Sequence, residues 1–492
     1  MTINEYLNKH YKKIIGWGTG GYFKKVYKEL NIDLTYLIDS DESKTGQILE
    51  GYTIFSPSVL QQEEPNDVLI VIFSSFHEEI GETIKQYGDF HTVTGGQLLL
   101  LAYSFEANNK ILENGEENKN IVISISRNNF ALVLNGLNKL VREQMSLFNK
   151  NGYINIHLFW RHYNIKGYQG LYFFVVKDGS MVGSYRPTEL FHIMEKVKAV
   201  IIHSLATMDP NALYLILAKI DRSTPILYYI HDFSCICSNI KLMYNNKAFC
   251  RGYEDGWCKC ATCEYGEEKR EIFEFHGKLF QRKNIKIIVP SNNTKGIIQR
   301  SFDLDSKKIQ VIPHQKYRVV NKGNIEINQV LKVAYVGYKH IHKGWEVFKR
   351  LVGDFRDKYK FYCFGTSDEI IEGVEYVDVS FIADGELAMT NKLVEYGIDV
   401  SLLLSLWPET YSYTYYESFA AGTFIVTTTL SGNIYAQVQK NKNGIAVTNY
   451  QELKDLFSDE AKLRTLILEN KSKIEGLKNN GEAILKLINA ER

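Results

Sequence analysis

Short runs of β-branched and aromatic residues alternate along the chain with stretches whose apolar positions recur every three or four residues. That alternation predicts strands of parallel sheets joined by crossover helices. The first block opens with a strand at Lys12-Lys13-Ile14-Ile15 and runs through Gly16-Trp17-Gly18-Thr19-Gly20-Gly21. It then enters a helix with apolar Tyr22, Phe23, Val26, Tyr27 and Leu30. A second strand over 34–38 ends at Asp39, and the apolar run 68–73 is of the kind buried on both faces of a parallel sheet. After Leu101 a polar stretch, 108–120, reads as a linker. The second block predicts strands at 121–125, 154–159, 199–202, 226–230 and 285–289, and the third at 332–336, 361–364, 400–404 and 424–427. A Lys/Glu/Leu-rich stretch over 461–490 reads as a helical tail. The expected organisation is a domain over 1–107, the linker, a lobe over 121–328 with a Cys-rich insertion at 235–263, a lobe over 329–460, and C-terminal helices over 461–492.

Composition narrows the function without naming it. With 58 Lys plus Arg against 57 Asp plus Glu, the formal charge of +1 argues against a nucleic-acid backbone as the main partner. A content of 45% hydrophobic and 23% charged residues is that of a globular protein rather than a disordered one. The 32 Tyr and 26 Phe suit flat polar ligands such as sugars and bases, and equally an AT-biased genome. No stretch reaches the roughly 18–20 apolar residues of a membrane span, and Met1–Tyr11 lacks an apolar signal core. The expectation is a cytoplasmic protein, at most peripheral at the inner face of a membrane. The segment 140–148 could dock on a membrane, but a buried amphipathic helix is the favoured reading.

The third block carries the densest chemistry. After the predicted strand 400–404 comes Trp407-Pro408-Glu409-Thr410-Tyr411-Ser412-Tyr413-Thr414-Tyr415-Tyr416-Glu417-Ser418-Phe419-Ala420-Ala421-Gly422, with two carboxylates separated by seven residues. The start of the helix offers free N–H groups and a positive dipole end, which suits an anion. Glu417, expected in the first helical turn, can accept hydrogen bonds from a diol. Upstream, Val336-Gly337-Tyr338-Lys339-His340-Ile341-His342-Lys343-Gly344-Trp345 runs from strand through Gly turn to a basic residue before a helix. Phe364-Gly365-Thr366 is a third strand-to-Gly turn on the same edge. Strand ends converging in this way form the ligand crevice of an open α/β sheet.

From residue 121 to the C-terminus, roughly three-quarters of the chain, this constellation resembles the retaining family 4 glycosyltransferases of the GT-B fold. The resemblance implies two facing Rossmann-like lobes and a nucleotide-diphosphate sugar donor of UDP or GDP type. It implies that Glu409 contacts the donor-sugar hydroxyls and Glu417 the ribose diol. Lys343 would hold the diphosphate, helped by the backbone around Tyr413 and Thr414, with Gly337 and Gly365 lining the donor site. Where the family has Arg directly after the Gly turn, this chain has Tyr338, which leaves the phosphate site half accounted for. No catalytic metal is expected, because protein charges take its role.

In the second block, Tyr228-Tyr229-Ile230-His231-Asp232 is a strand ending in His-Asp. A His there can hydrogen-bond a sugar hydroxyl or a leaving group, and it can equally be satisfied by backbone. The resemblance implies that His231 faces the donor sugar. His203 has similar geometry and reads as structural, as do Pro313-His314. Cys237, Cys250, Cys258, Cys260 and Cys263 supply enough thiolates for a structural zinc site. Packed thiols and disulfides remain alternatives. In the first block, Gly16-x-Gly18-x2-Gly21 with Asp39 at the end of the second strand fits a dinucleotide fingerprint, and the block also reads as a retained Rossmann-like fold used for docking.

The sequence therefore predicts a retaining glycosyltransferase acting on a glycan, lipid-linked or protein acceptor hydroxyl, in surface polysaccharide or glycoconjugate synthesis. Two rivals stay open: a non-catalytic GT-B-like scaffold or lectin, and an NAD-dependent oxidoreductase or epimerase run by the first block. Tyr11, Tyr22, Tyr27 and Tyr36 lack the Lys four residues on that such an epimerase would use.

Overall fold

The computed structural model describes residues 1–107, 110–113, 115–116, 119–130, 136–251, 260–321, 323, 326–365, 369–380, 385–470 and 472–489. The chain forms two compact units, one of residues 1–133, 148–198 and 208–221, the other of 134–147, 199–207 and 222–492. The fold class is α/β, built on parallel sheets as the periodicity predicts.

In the first unit a six-stranded sheet has the order Ile48–Leu49, Tyr52–Phe55, Tyr36–Ile38, Lys13–Trp17, Val68–Ile72, His91–Thr94. All its pairings are parallel except the short hairpin that ends it. The unit also holds Ile121–Ile125 paired parallel to Ile154–Ile165, which continues into an antiparallel meander with Tyr168–Lys177 and Ser180–Tyr185. The last turn of that meander is Asp178-Gly179, both at positive φ, which matches the twist of a two-residue hairpin. The Tyr6 hydroxyl donates to the Lys166 carbonyl at 2.6 Å and ties the first helix to this meander.

In the second unit the strand segment 199–202, then Ile226–Tyr229, Ile285–Val289 and Ile309–Val311 pair in parallel in that order. A second sheet of six parallel strands runs Val374–Val377, Lys360–Phe364, Lys332–Val336, Val400–Leu403, Phe424–Thr428, Gly444–Val447. Period-two alternation splits its side chains between two cores. Val333, Tyr335, Phe361 and Val400 pack with Trp345 and Phe348, on one face. Ala334, Val336, Tyr362 and Leu403 pack with Tyr415, Phe419 and Ile434, on the other.

The tail is not wholly helical. Glu460–Glu469 is followed by the strand Ser472–Asn479 and then by the helix Glu482–Asn489. The strand pairs antiparallel with Gln315–Asn321, a partner more than 150 residues away that no local pattern announces. Gly476 at φ +66 breaks the helix that the Lys/Glu/Leu content favours. In the helix Gly136–Lys150, Leu140, Val141, Met145 and Phe148 are buried, as the favoured reading of that segment expects. Among the described residues no helix is long and apolar enough to cross a membrane.

Candidate active site

The second unit's six-stranded sheet changes winding direction at Lys332–Val336. From there the chain adds Lys360–Phe364 and Val374–Val377 on one side, then returns to pair Val400–Leu403 on the other. The carboxyl ends of the two strands flanking such a switch point diverge and leave a crevice. A cavity of about 100 Å3 lies there, walled by Val336, Gly337, Tyr338, Lys343, Leu403, Leu404, Ser405, Glu409, Thr414 and Ile434.

Both loops that line it are held by specific bonds. The buried Tyr335 hydroxyl bonds the carbonyl oxygens of Tyr338 (2.9 Å) and Lys343 (3.3 Å), fixing the loop after the Gly turn at both ends. Leu406 N–H donates to the His342 carbonyl at 2.9 Å, stitching this loop to the next. Gly344 has φ +79, and a Cβ there would lie 2.3 Å from the Leu404 carbonyl oxygen. Any side chain would therefore push apart the loops that carry Lys343 and Glu409. Gly344→Ala should lower the unfolding free energy by about 2–4 kcal/mol, from strained backbone plus overpacking, measured by urea denaturation; an unchanged midpoint would refute this packing role.

Lys343 Nζ lies 2.7 Å from Glu409 Oε1, with the Lys side chain 27% and the Glu side chain 6% exposed. The Glu409 loop is fixed from behind. Its carbonyl accepts from Asn433 N–H at 2.9 Å, and Gly432 at φ +61 approaches Pro408 so closely that a Cβ would meet its Cα at 2.6 Å. Gly432 and Asn433 escaped the sequence reading; the only signal was the Ser431-Gly432-Asn433 turn after the strand Phe424–Thr428.

The helix Tyr413–Ala421 begins at the same cavity. Its N-cap Ser412 accepts from Tyr415 N–H, leaving the N–H groups of Tyr413 and Thr414 at the first two helical positions, without intrahelical acceptors. Glu417 is the fifth residue of the helix, so it stands in the second turn rather than the first. It is 2% exposed, and its Oε1 finds no hydrogen-bond partner among the described residues. Burial raises its carboxyl to about 7, against the opposing pull of Lys139. An unpartnered buried carboxylate is costly, and a ligand hydroxyl is the kind of group that would relieve it. The Tyr413 hydroxyl and the Trp407 indole N–H are likewise buried without hydrogen-bond partners among the described residues. Lys139 Nζ lies 5.1 Å from the Tyr413 ring centre.

Gly365 follows the strand Lys360–Phe364 at φ +118, and a Cβ there would lie 3.9 Å from the Gly337 carbonyl oxygen, an ordinary contact. Its own carbonyl accepts from Lys339 Nζ at 3.3 Å, and that ammonium lies 4.9 Å from the Tyr376 ring centre. Lys339 thus points along the sheet edge and is not a wall of the cavity.

His231 is joined to the motif loop through its backbone: its carbonyl accepts from Thr410 Oγ1 at 2.5 Å. Its Nε2 lies 3.1 Å from His203 Nδ1, and its ring stacks on Tyr229 and lies 5.2 Å from the His314 ring. Burial, then His314 and His203, hold His231 well below the usual imidazole range, so it is neutral. His203 and His314, read as structural from sequence, therefore flank it. Burial takes His314 down to about 3, and its Nδ1 has no partner among the described residues.

Cys237, Cys250, Cys260 and Cys263 line one small cavity with Lys269. Lys269 Nζ lies 3.1 Å from Cys260 Sγ there. Among the described residues no three His, Cys, Asp or Glu side chains are disposed to hold a metal ion, so the structural zinc reading finds no support there. Cys258 lies outside the described residues. Cys235, Cys237, Cys260, Cys263 and Cys363 are free thiols.

In the first unit, Gly16 falls within the strand Lys13–Trp17, Gly18 N–H donates to the Ile38 carbonyl at 2.8 Å, and Gly21 opens the helix Gly21–Leu30. Asp39 accepts from the Thr19 N–H (3.2 Å) and hydroxyl, the Asp41 N–H (2.9 Å) and Lys44 Nζ (3.0 Å). Its carboxylate closes its own loop. The hydrogen bonds and the Lys44 charge outweigh burial and hold it below the usual carboxylate range.

Residues 10–90 match the protein family described as C2185-like, N-terminal. No curated protein matches the chain. Among solved structures, the chain is similar to sucrose-phosphate synthase from Thermosynechococcus elongatus (13% identity, 76% of this chain and 96% of that one, TM-score 0.44). It is similar to WaaG, a glycosyltransferase involved in lipopolysaccharide biosynthesis (12%, 75% and 99%, TM-score 0.45). It is also similar to a variant of S. aureus TarM in complex with fondaparinux, alpha-GlcNAc-glycerol and UDP (13%, 97% and 100%, TM-score 0.37).

Proposed function

We propose that the protein is a GT-B-type retaining glycosyltransferase that moves a sugar from a UDP- or GDP-type donor to the hydroxyl of a glycan, lipid-linked or protein acceptor. The observation that carries this reading is the cavity at the sheet's switch point. There Lys343, Glu409 and the amide-bearing start of the helix Tyr413–Ala421 meet behind a Gly turn. A cation and free helix-terminal N–H groups suit a diphosphate, and Glu409 suits the hydroxyls of the sugar beside it. Glu417, buried on the same helix with its Oε1 unpaired among the described residues, suits the ribose diol.

In this reading the rate comes from positioning the donor and from stabilising the charge that grows on the departing diphosphate. Lys343 leaves Glu409 for the phosphate oxygens, which frees Glu409 to accept from sugar hydroxyls. The neutral His231, with Nε2 bonded to His203 and its ring beside His314, would use its other ring nitrogen, Nδ1, to hydrogen-bond a hydroxyl without competing for the diphosphate.

Two measurements test it. UDP or GDP at 100 times its dissociation constant should stabilise the folded protein by about 2.7 kcal/mol, read as a thermal shift, and NAD should not. With an α-linked sugar nucleotide, early proton NMR of the released or transferred sugar should show the α anomer. A β product would refute retention, and stabilisation by NAD alone would refute the reading as a whole.

A further inference from the structure

Tyr338 stands where a phosphate-binding cation would complete the donor site. It is 73% exposed, yet it walls the same cavity as Lys343 and Glu409. Large aromatic side chains on a protein surface normally shed most of their exposure. This one is presented rather than tucked away, because Tyr335 holds the Tyr338 carbonyl while Gly337, at φ +138, turns the chain. Apart from its two chain neighbours, no described residue has an atom within 4 Å of where a Gly337 Cβ would stand, so the turn that presents the ring is uncrowded among the described residues. Behind it the ring is backed by His340, nearly parallel at 18° and 6.1 Å between centres. His340 Nδ1 in turn lies 2.6 Å from His342 Nδ1. Burial, then Lys241, holds His340 below its usual range, and burial takes His342 to about 3. At Tyr338 and His340 the loop therefore offers an uncharged aromatic surface, while its charges sit on Lys339 and Lys343.

We propose that Tyr338 is the stacking platform for the transferred sugar. This rests on the glycosyltransferase reading of the same cavity. A pyranose has a hydroxyl edge and an apolar C–H face. Glu409 meets the edge from one wall, and the Tyr338 ring covers the face from another, in the way aromatic walls and a few polar groups divide the work in ligand pockets. The site then takes a hexopyranose with one face clear of axial hydroxyls. Part of the affinity that a missing cation would have given to the diphosphate comes instead from the sugar.

The test is calorimetric titration of UDP, GDP, UDP-glucose, UDP-N-acetylglucosamine and GDP-mannose into the full-length wild type, Tyr338→Ala and Tyr338→Phe. For the base that the wild type selects, Tyr338→Ala should leave the Kd of the free diphosphate within twofold and raise that of the sugar nucleotide about fivefold to tenfold. Tyr338→Phe should keep wild-type values. Equal losses for both ligands would place the ring against the nucleotide, and no loss for either would leave the ring outside the site; either outcome overturns the platform. If the wild type binds none of the five, the glycosyltransferase reading falls and the platform with it. Tyr338 is exposed, so thermal melting of the apo variants should match wild type.

Discussion

Lys343→Ala is expected to abolish stabilisation by UDP or GDP and, separately, to destabilise the apo protein by about 3 kcal/mol. The two effects have different origins. Glu409 is almost fully buried, and the Lys343 ammonium 2.7 Å away is the charge that compensates it. Removing the cation leaves an uncompensated carboxylate in a poorly solvated site. The paired variant Lys343→Met with Glu409→Gln removes both charges and should recover most of the apo stability, measured by urea unfolding. It should still show no nucleotide-dependent shift. If the paired variant recovers nucleotide binding as well as stability, the ion pair is purely structural and the cavity is not a donor site. If Lys343→Ala alone keeps the shift, the diphosphate lies elsewhere.

Glu417→Gln carries the second large effect, and its sign depends on pH. The folded-state carboxyl titrates at about 7 rather than at its ordinary 4.5, because burial disfavours the charged form. Folding therefore takes up a proton between those values. The wild type is unpenalised below about pH 4.5, and it loses stability as pH rises through 7, by up to about 3 kcal/mol. The amide cannot ionise, so Glu417→Gln should lie within about 1 kcal/mol of wild type at pH 5 and melt clearly higher at pH 8. Ligand binding should run the other way. A ribose diol donates to the ionised carboxylate, so wild-type affinity for the nucleotide should strengthen as pH rises through 7, while the variant binds about tenfold more weakly at pH 8 with a flat profile. Coincident melting curves at pH 5 and pH 8 would show that Glu417 ionises without cost, and a flat wild-type affinity profile would remove it from the ribose site.

Much of this was legible along the chain because it is local. A strand, a Gly turn and a basic residue before a helix are read within about fifteen positions, and so are two carboxylates astride a helix start. The short apolar runs at 332–336 and 400–404 likewise announce buried parallel strands, and both form, the second as Val400–Leu403. The missed hairpin Tyr168–Lys177 to Ser180–Tyr185 was also locally signalled, by Asp178-Gly179 between alternating residues. The tail strand Ser472–Asn479 was not: Lys, Glu and Leu favour helix in isolation, and pairing with Gln315–Asn321 overrides that preference.

Other features exist only once distant segments meet. Asp39 looks free to bind a ribose until Thr19 and Lys44 close on it. The zinc reading counted thiols, which spacing alone supplies, but ligation depends on where each sulfur points. That His203 and His314 flank His231 depends on three separate segments arriving side by side. By itself the sequence determined the α/β class, the sheet edge and the residue types gathered there, since these follow from the hydrophobic period and the chemistry of short turns. Only the tertiary structure decided that Lys343 would pair with Glu409, that Glu417 would be buried with one carboxyl oxygen unpaired among the described residues, and that Tyr338 would stay exposed. Charge compensation, desolvation and exposure are properties of the space around a side chain, and that space is made by residues far away in the chain.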